Sequence, residues 1–248
     1  MLIDELKNIA RNNGIVGAGG AGFPAYAKMT EKADTVILNC VECEPLLKLH
    51  RQLLATHTEE IIQMLDEVRE SFGAKEAVIG IKSEYVATIK AIEEVIGDFP
   101  NVRICALKAA YPMGDEVVLI YEATGRVIKP GGLPIDENVV VYNVETMYNL
   151  YRAVHLNIPV TNKLVSIVGE IDHPLTVRVP LGTTVKEAIS LAGKITVEDP
   201  AYVMGGPMMG RLGTENTVIT KTTNAIIILP KDHHVVVRME KNLDIEKR

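Results

Sequence analysis

The stretch Gly14-Ile-Val-Gly-Ala-Gly-Gly-Ala-Gly-Phe-Pro24, with Lys28 soon after it, decides the fold that we predict for this chain. Five of its first nine residues are glycine, so its backbone amides are left uncovered, as a loop that wraps a nucleotide phosphate requires. An apolar strand beginning at Thr35 follows and leads to a polar segment at residues 39–44. Ligands of α/β proteins bind at the carboxyl ends of parallel strands. We therefore predict that loop and strand end form one binding site.

The residues from Gly17 to Gly22 also satisfy the GxGxxG pattern of dinucleotide-binding proteins. That fingerprint needs a strand before the loop and a helix after it. Here the helical periodicity of residues 2–13 predicts a helix before the loop, and the strand comes after it. We therefore reject an NAD-dependent dehydrogenase with a conventional Rossmann fold.

Predicted strands and helices alternate along the first part of the chain. The strands are expected at residues 35–39, 77–81, 102–107 and 138–143, and the helices at 53–71, 85–96, 115–124 and 144–155. This alternation predicts an α/β fold with a mostly parallel sheet flanked by helices. From Thr161 the pattern changes to two strands without a crossover, a helix and later strands, which predicts a small β-grasp domain.

The predicted domain boundaries follow from this change of pattern. Residues 1–158 form the α/β domain, residues 159–232 form the β-grasp domain, and residues 233–248 are a charged tail or linker. A second glycine-rich stretch, residues 205–210, falls in the β-grasp domain. It either closes a turn there or contacts a ligand or the first domain.

Composition excludes several classes of protein. The net charge of −6 and the lack of a dense basic cluster argue against a nucleic-acid partner. No apolar run reaches the roughly 18 residues of a membrane span, so we expect a cytoplasmic chain without one. The three cysteines cannot pair completely, which indicates a reducing compartment.

Polar clusters recur where strands or loops end. They are the glycine loop with Lys28, residues 39–44, residues 111–116 and residues 142–146. Because the carboxyl ends of parallel strands meet at one edge, these clusters are expected to converge on one ligand. The alternative is that their carboxylates form a solvated rim, which is the commonest position of such groups.

We predict no metal site. Cys40 and Cys43 form a C-x-x-C pair, but a zinc or iron–sulfur site needs about four ligands, and the one other cysteine is the isolated Cys105. Packing of the thiols in a buried strand is the simpler interpretation.

Taken in order, the four clusters resemble the flavin-binding subunit family that joins the NADH-oxidising subunit of respiratory complex I to the RnfC proteins. The resemblance covers about the whole chain, with an SLBB (soluble-ligand-binding β-grasp) domain after the flavin domain. It is closest to the short, RnfC-like branch typified by cobalamin reductase. Residues 109–116, 132–134, 205–210 and 221–223 carry that placement.

The resemblance implies an FMN site and an NADH site. For FMN it implies contacts from Gly17, Gly19, Lys28, Asn39, Glu42, Cys43, Tyr111, Gly114, Asp115, Glu116, Asn143 and Thr146. For NADH as substrate it implies Phe23, Glu44 and Glu116. No side chain acts as a catalytic group, because the flavin carries the chemistry.

The implied function is an FMN-dependent electron-transfer oxidoreductase that passes electrons from NADH or a low-potential carrier to an iron–sulfur or corrinoid acceptor. Its partners would be a redox protein or a corrinoid, with association to a membrane complex or a bacterial microcompartment. RnfC relatives continue into [4Fe-4S] motifs where this sequence stops. We therefore expect either that the sequence is a piece of a longer protein or that a partner supplies the clusters.

A second hypothesis treats the chain as a non-enzymatic module that binds a corrinoid or another soluble ligand. Two departures from the complex I pattern motivate it. An acidic position of that pattern is Val41 here, and an asparagine is Tyr142. The flavin domain would then be degenerate. Corrinoid binding without flavin binding would favour this hypothesis over the first.

Overall fold

The computed structural model describes residues 1–241 and divides the chain into two compact units. The first consists of residues 1–17, 23–43 and 50–160. The second consists of residues 18–22, residues 44–49 and the chain from Thr161 onward. Two short segments from the early part of the chain thus group with the second unit. The predicted boundary at residue 158 divides the chain into continuous stretches and therefore leaves these two segments in the first domain.

The first unit contains a sheet of four strands. They are β1 (Thr35–Cys40), β2 (Glu76–Lys82), β3 (Val102–Leu107) and β4 (Val139–Asn143). All neighbours pair in parallel in the order β3-β2-β1-β4, with Thr35 opposite both Glu76 and Val139. The two central strands are nearly continuous runs of buried apolar residues, as expected for a parallel sheet covered on both faces.

Helices precede, connect and follow these strands. They are α1 (Ile3–Asn12), α2 (Leu49–Thr56), α3 (Thr58–Phe72), α4 (Val86–Val95), α5 (Glu116–Thr124) and α6 (Val144–Leu156), with 3₁₀ turns at Ala25–Lys28, Ile96–Asp98 and Pro134–Glu137. Gly80 in β2 allows α5 to approach the sheet closely. A Cβ there would lie 2.5 Å from Leu119 Cδ1.

The single helix predicted over residues 53–71 is wrong, because the structure breaks it into α2 and α3 at His57. Threonines on both sides of His57 explain the break. The Thr56 hydroxyl donates to Gln52 O at 2.9 Å, and the Thr58 hydroxyl donates to Leu54 O at 2.7 Å. Hydroxyls that bond to helical carbonyls slightly destabilise the helix and often bend it there.

The second unit contains a mixed sheet of five strands. They are β5 (Asn162–Gly169), β6 (Leu175–Pro180), β7 (Pro200–Met204), β8 (Arg211–Gly213) and β9 (Ala225–Pro230). Their order is β6-β5-β9-β7-β8, in which β5 and β9 pair in parallel and the other neighbours are antiparallel. Helix α7 (Val185–Ser190) lies between β6 and β7 in sequence. The predicted fold class is confirmed.

Helix α8 (His234–Glu240) occupies part of the segment predicted as a charged tail or linker. Val236 and Met239 of this helix are buried against Val203, Ala225 and Ile227 of the sheet. The weak periodicity of the segment hid this helix because three of its four apolar residues, Val235 to Val237, are consecutive. The remaining residues of the predicted tail, 242–248, lie outside the described part of the chain.

Both faces of the second sheet carry apolar clusters. Val165, Ile167, Val185 and Ile228 belong to one cluster, whereas α8 packs in the other. Between Met1 and Lys241, no helix combines the length and apolar character needed to cross a membrane.

Candidate functional site

The carboxyl ends of the four parallel strands lie along one edge of the first unit's sheet. Three predicted polar clusters, at residues 39–44, 111–116 and 142–146, follow these ends. We call the first-unit segments at and around them, residues 39–43, 108–116 and 141–146, the carboxyl edge. Helices α5 and α6 both begin there. Their amino-terminal amides and dipoles favour negative charge at this edge.

The backbone of Gly114 joins the segment after β3 to the end of β1. The Asn39 side-chain amide donates to Gly114 O at 3.0 Å, and Gly114 N donates to Cys43 Sγ at 3.1 Å. A Cβ on residue 114 would lie 2.4 Å from Val41 O and 2.8 Å from Cys43 Sγ. Only glycine fits this contact without a shift of the backbone.

Lys28 is held at the same edge. Its ammonium donates to Glu116 Oε1 at 3.0 Å and to Val141 O at 3.3 Å. The Lys28 and Glu116 side chains are 34% and 40% exposed. Solvent screens such a pair, so it contributes little to stability. The lysine can therefore exchange Glu116 for a bound anion at small cost.

Two of the predicted ligand contacts also cap helices. The Asp115 carboxylate accepts hydrogen bonds from Val117 N at 3.0 Å and Val118 N at 3.2 Å, at the start of α5. Asn143 Oδ1 accepts from Glu145 N at 2.9 Å, at the start of α6. These contacts satisfy amides that a helix leaves unpaired.

Glu42 has a similar structural role at the start of α2. Its carboxylate accepts from His50 N at 2.9 Å, and its Oε2 lies 3.8 Å from Arg51 Nε. Burial raises the pKa of Glu42, and these amides and the charges of Arg51 and Lys82 partly oppose that shift. The Lys82 ammonium donates to Glu42 O at 2.8 Å. The segment after β1 is thus fixed by side chain and backbone.

The base of the glycine loop lies in the first unit. Val16 and Pro24 form an antiparallel bridge, and Gly17 N donates to Phe23 O at 2.8 Å. The Thr146 hydroxyl donates to Val16 O at 3.4 Å. Gly17 and Thr146 thus contact the same short segment of the chain.

The predicted aromatic residues remain accessible. Tyr111 is 58% exposed and Phe23 is 49% exposed. Large apolar side chains that are exposed near fixed polar groups are available to contact a ligand.

The two departures from the complex I pattern are core positions in this chain. Val41 is 8% exposed and packs in the apolar cluster around β1 and α5. Tyr142 is buried, its hydroxyl donates to Ala25 O at 3.4 Å, and burial raises its pKa. Their side chains serve packing.

The cysteine pair does not form a ligand set. Cys40 is completely buried, and burial raises the pKa of its thiol well above the ordinary value. Cys43 accepts the hydrogen bond from Gly114 instead. Among residues 1–241, no group of three or more histidine, cysteine or acidic side chains is placed to hold a metal ion.

Gly19 belongs to the segment of the glycine loop that groups with the second unit. It is exposed together with Gly20 and Ala21. In the described chain, the amides of these three residues donate no hydrogen bond. They are therefore open to an external acceptor.

Glu44 also belongs to the second unit. Its two carboxylate oxygens accept hydrogen bonds from Met208 N at 2.9 Å and Met209 N at 2.7 Å. No pattern in the sequence indicates this contact, because the partners are separated by more than 160 positions and are backbone amides.

Sequence reasoning missed three residues that support the site. They are His50, Arg51 and Lys82. The His50 ring lies 3.3 Å from the Asn143 side-chain amide, and Lys82 is the last residue of β2, beside the carboxyl edge. The position of Lys82 directly after a buried apolar run was the available signal.

Comparison with known proteins matches two domain families. The family described as the Nuo51 FMN-binding domain matches residues 10–152, and the SLBB domain family matches residues 164–212. The resemblance stated from the sequence is confirmed.

Two curated relatives illustrate the sequence similarity. Cobalamin reductase PduS of Salmonella typhimurium is 41% identical over 236 residues, covering 95% of this chain and 52% of the relative. A component of the Na⁺-translocating ferredoxin:NAD⁺ oxidoreductase complex of Acetobacterium woodii is 32% identical, covering 92% of this chain and 53% of the relative. The chain thus spans about half the length of the curated relatives it matches.

The fold is similar to a chain of a solved NAD⁺-reducing [NiFe]-hydrogenase in the H₂-reduced state. The TM-score is 0.76 at 20% identity, and the match covers 96% of this chain and 49% of the other. At this identity the likeness shows the fold alone.

Proposed function

The chain belongs to the Nuo51 FMN-binding domain family, and from this premise we propose that it is an FMN-dependent electron-transfer oxidoreductase. FMN lies at the carboxyl edge of the first unit in this proposal. The proposal rests on two contacts at that edge, one between Asn39 and Gly114 and one between Lys28 and Glu116. Three separate chain segments there supply the groups that a phosphorylated flavin needs.

The residues present fit the parts of FMN. The half-exposed ammonium of Lys28 suits the phosphate, because it can exchange Glu116 for another anion. The carboxylate of Asp115 and the amide of Asn39 suit ribityl hydroxyls, since they are acceptors and donors of hydrogen bonds. The exposed ring of Tyr111 offers aromatic surface to the flavin rings.

We propose a set of FMN contacts in the first unit. The set is Gly17, Lys28, Asn39, Glu42, Cys43, Tyr111, Gly114, Asp115, Glu116, Asn143 and Thr146. Glu42 acts there through its backbone and by capping α2, because its carboxylate is committed to His50 and Arg51. Asp115 and Asn143 combine capping with contact.

Bound FMN would accept hydride and release electrons singly. The chain's own groups bind and orient it. The Asn39 side chain donates to Gly114 O, and Gly114 N donates to Cys43 Sγ. The segment that carries Tyr111 and Glu116 is therefore fixed before the ligand binds. Such preorganisation lowers the entropy cost of binding.

NADH, which delivers its two electrons as a hydride, is the proposed electron donor, and a low-potential electron carrier is the other candidate. Phe23 and Glu116 of the first unit are the proposed contacts. The exposed ring of Phe23 offers a stacking surface, and the Glu116 carboxylate can accept hydrogen bonds from a nicotinamide amide or a ribose.

The proposed acceptor is an iron–sulfur centre or a corrinoid. Relatives named as a cobalamin reductase and as components of ferredoxin:NAD⁺ oxidoreductase complexes support these two classes. The corresponding partner is a redox protein or a corrinoid, and the proposed location is the cytoplasm, including association with a membrane complex or a microcompartment.

Reconstitution tests the proposal. Titration of the purified chain with FMN should give a saturable change in the flavin absorption bands and a rise in thermal stability. Anaerobic addition of NADH should then bleach the bound flavin. A chain that stays colourless and shows no thermal shift at saturating FMN would contradict the proposal. Saturable binding of cobalamin by such a chain would instead support the corrinoid-binding module.

A further inference from the structure

Lys82 places a positive charge in the middle of the carboxyl edge, and the proposed FMN contacts give it no role. It is the last residue of β2, which lies between β1 and β3 in the sheet. In the register of the sheet it is opposite Leu107, the last residue of β3. Proposed FMN contacts occur at and after the ends of both neighbouring strands, in residues 39–43 and 108–116. The lysine therefore starts between two parts of the proposed site.

The ammonium of Lys82 is held against the segment that follows β1. It donates to Glu42 O at 2.8 Å and lies 5.8 Å from the centre of the Tyr85 ring. Tyr85 is buried, and its hydroxyl donates to the same carbonyl at 3.4 Å. The hydrogen bond and the fixed ring together restrict the lysine side chain. Its charge is therefore kept beside the backbone of Glu42 and Cys43, which are both in the proposed FMN set.

No carboxylate offsets this ammonium by contact in the part of the chain that the structure describes. Lys28 pairs with Glu116 at 3.0 Å, and the Glu42 carboxylate lies 3.8 Å from Arg51. Lys82 makes no ion pair there, although it is half-buried. A charge in a partly buried site acts over a longer distance than the same charge in water. The ammonium of Lys82 can therefore act on a ligand bound at the carboxyl edge.

The charge of a flavin ring depends on its redox state. A hydride consists of two electrons and one proton, so its transfer to the neutral oxidised ring adds one negative charge to the ring. A fixed cation nearby stabilises the reduced ring more than the oxidised ring, because opposite charges attract. Charges near the ring nitrogens are among the groups by which a protein tunes a bound flavin. An unpaired cation at the site should therefore raise the reduction potential.

We propose that Lys82 raises the reduction potential of FMN bound at the carboxyl edge. It acts through its charge, which the hydrogen bond to Glu42 O keeps in place. A higher potential favours the acceptance of electrons from the proposed donor. The inference rests on the proposed function, because it requires bound FMN, and it adds a residue that sets the energy of the bound flavin.

Redox titration of the FMN-loaded chain with dithionite, against a reference dye, measures the potential. Lys82→Gln removes the charge and retains an amide donor. The affinity for reduced FMN should then fall on the order of tenfold more than the affinity for oxidised FMN. For a two-electron couple, this difference lowers the potential by about 30 mV. Lys82→Met, which retains the apolar stem without a donor, should show the same decrease, and Lys82→Arg, which retains the charge, should show little.

Lys75→Gln is the matched control. Lys75 directly precedes β2 and is exposed, so the same charge is removed at the opposite end of the same strand. At 3.3 Å per residue, the Cα atoms of Lys75 and Lys82 are about 23 Å apart. Salt screens exposed charges beyond about 10 Å. The potential of bound FMN should therefore be unchanged in this variant.

A purely structural role of Lys82 would weaken the binding of oxidised and reduced FMN equally and leave the potential unchanged. That result in Lys82→Gln and Lys82→Met would overturn this inference and leave the proposed function standing. Equal shifts in Lys82→Gln and Lys75→Gln would also overturn it, because the effect would then come from net charge. Failure of the unmodified chain to bind FMN would overturn the proposed function and this inference with it.

Discussion

Replacing Lys28 by methionine should weaken the binding of FMN much more than the binding of riboflavin. The ammonium is held 3.0 Å from Glu116 and 3.3 Å from Val141 O, at the edge where the proposed phosphate lies. Methionine retains most of the apolar stem and removes the charge. Riboflavin has the same rings and ribityl chain but no phosphate, so it isolates the contact in question.

The expected magnitude follows from the exposure of the pair. A hydrogen bond to a charged group contributes on the order of 1.5–3 kcal/mol, which corresponds to a loss of roughly 10- to 150-fold in affinity for FMN. The Lys28 side chain is 34% exposed, so screening places the result towards the lower end. The stability of the apo chain should change by less than about 1 kcal/mol, because the ion pair is half exposed.

Glu116 supplies a second arm of the test. Without Lys28, its carboxylate faces the phosphate uncompensated, and like charges at short distance repel. The double variant Lys28→Met/Glu116→Gln should therefore recover part of the FMN affinity lost in Lys28→Met. The riboflavin affinity of both variants should stay within about twofold of the unmodified chain.

Quenching of flavin fluorescence on titration with protein measures all of these affinities. Thermal unfolding of each variant checks that the fold is retained. Equal weakening for FMN and riboflavin would show that Lys28 does not contact the phosphate. Unchanged FMN affinity would remove Lys28 from the site.

Three further predictions concern the supports of the site. Gly114→Ala should lower the unfolding free energy by about 1–3 kcal/mol, because the new Cβ overpacks against Val41 O and Cys43 Sγ, and it should also weaken FMN binding. Gly97→Ala is the control, because no atom lies within 4 Å of its new Cβ. In the same denaturant and FMN titrations it should change neither quantity. Asp115→Ala should cost about 1 kcal/mol by removing the cap of α5, and Asp115→Asn should cost little, as thermal melts would report; equal losses would contradict the capping role. Burial raises the folded-state pKa of Glu42 above its ordinary value of 4.5. Between pH 4.5 and the raised pKa, the folded state therefore binds more protons than the unfolded state, and the stability that this group contributes falls as the pH rises through that range. Glu42→Gln should remove that decline in unfolding free energy measured against pH, and an unchanged slope would show that Glu42 is not its source.

The architecture of the first unit was predictable because its signals are local. Buried strands such as Thr35–Cys40 are short apolar runs between turn residues, and their alternation with helices has few topological solutions. The break at His57 was not predictable from the same signals. Leu54 and Ile61 keep a helical spacing of two turns across it, and the threonine hydroxyls that contact Gln52 O and Leu54 O lie at the break.

The exchange of segments between the units has no local signature. Residues 18–22 and 44–49 are too short to show a shift in composition or periodicity. Glu44 groups with the second unit, where its carboxylate accepts hydrogen bonds from the backbone amides of Met208 and Met209. Every residue type offers such an amide except proline, so no sequence pattern could point to these two.

Helix capping changes how polar clusters at strand ends should be interpreted. A helix that begins at the carboxyl edge leaves its first amides unpaired, and Asp115 and Asn143 accept hydrogen bonds from such amides in this chain. Acidic and amide residues would therefore recur along the carboxyl edge even if no ligand bound there. The stronger indications of a ligand are the groups that capping does not explain. Lys28 caps no helix and approaches from a distant part of the chain, and Tyr111 remains exposed beside the fixed Gly114. Variants of these two residues therefore test ligand binding most directly, because their loss leaves the ends of α5 and α6 capped.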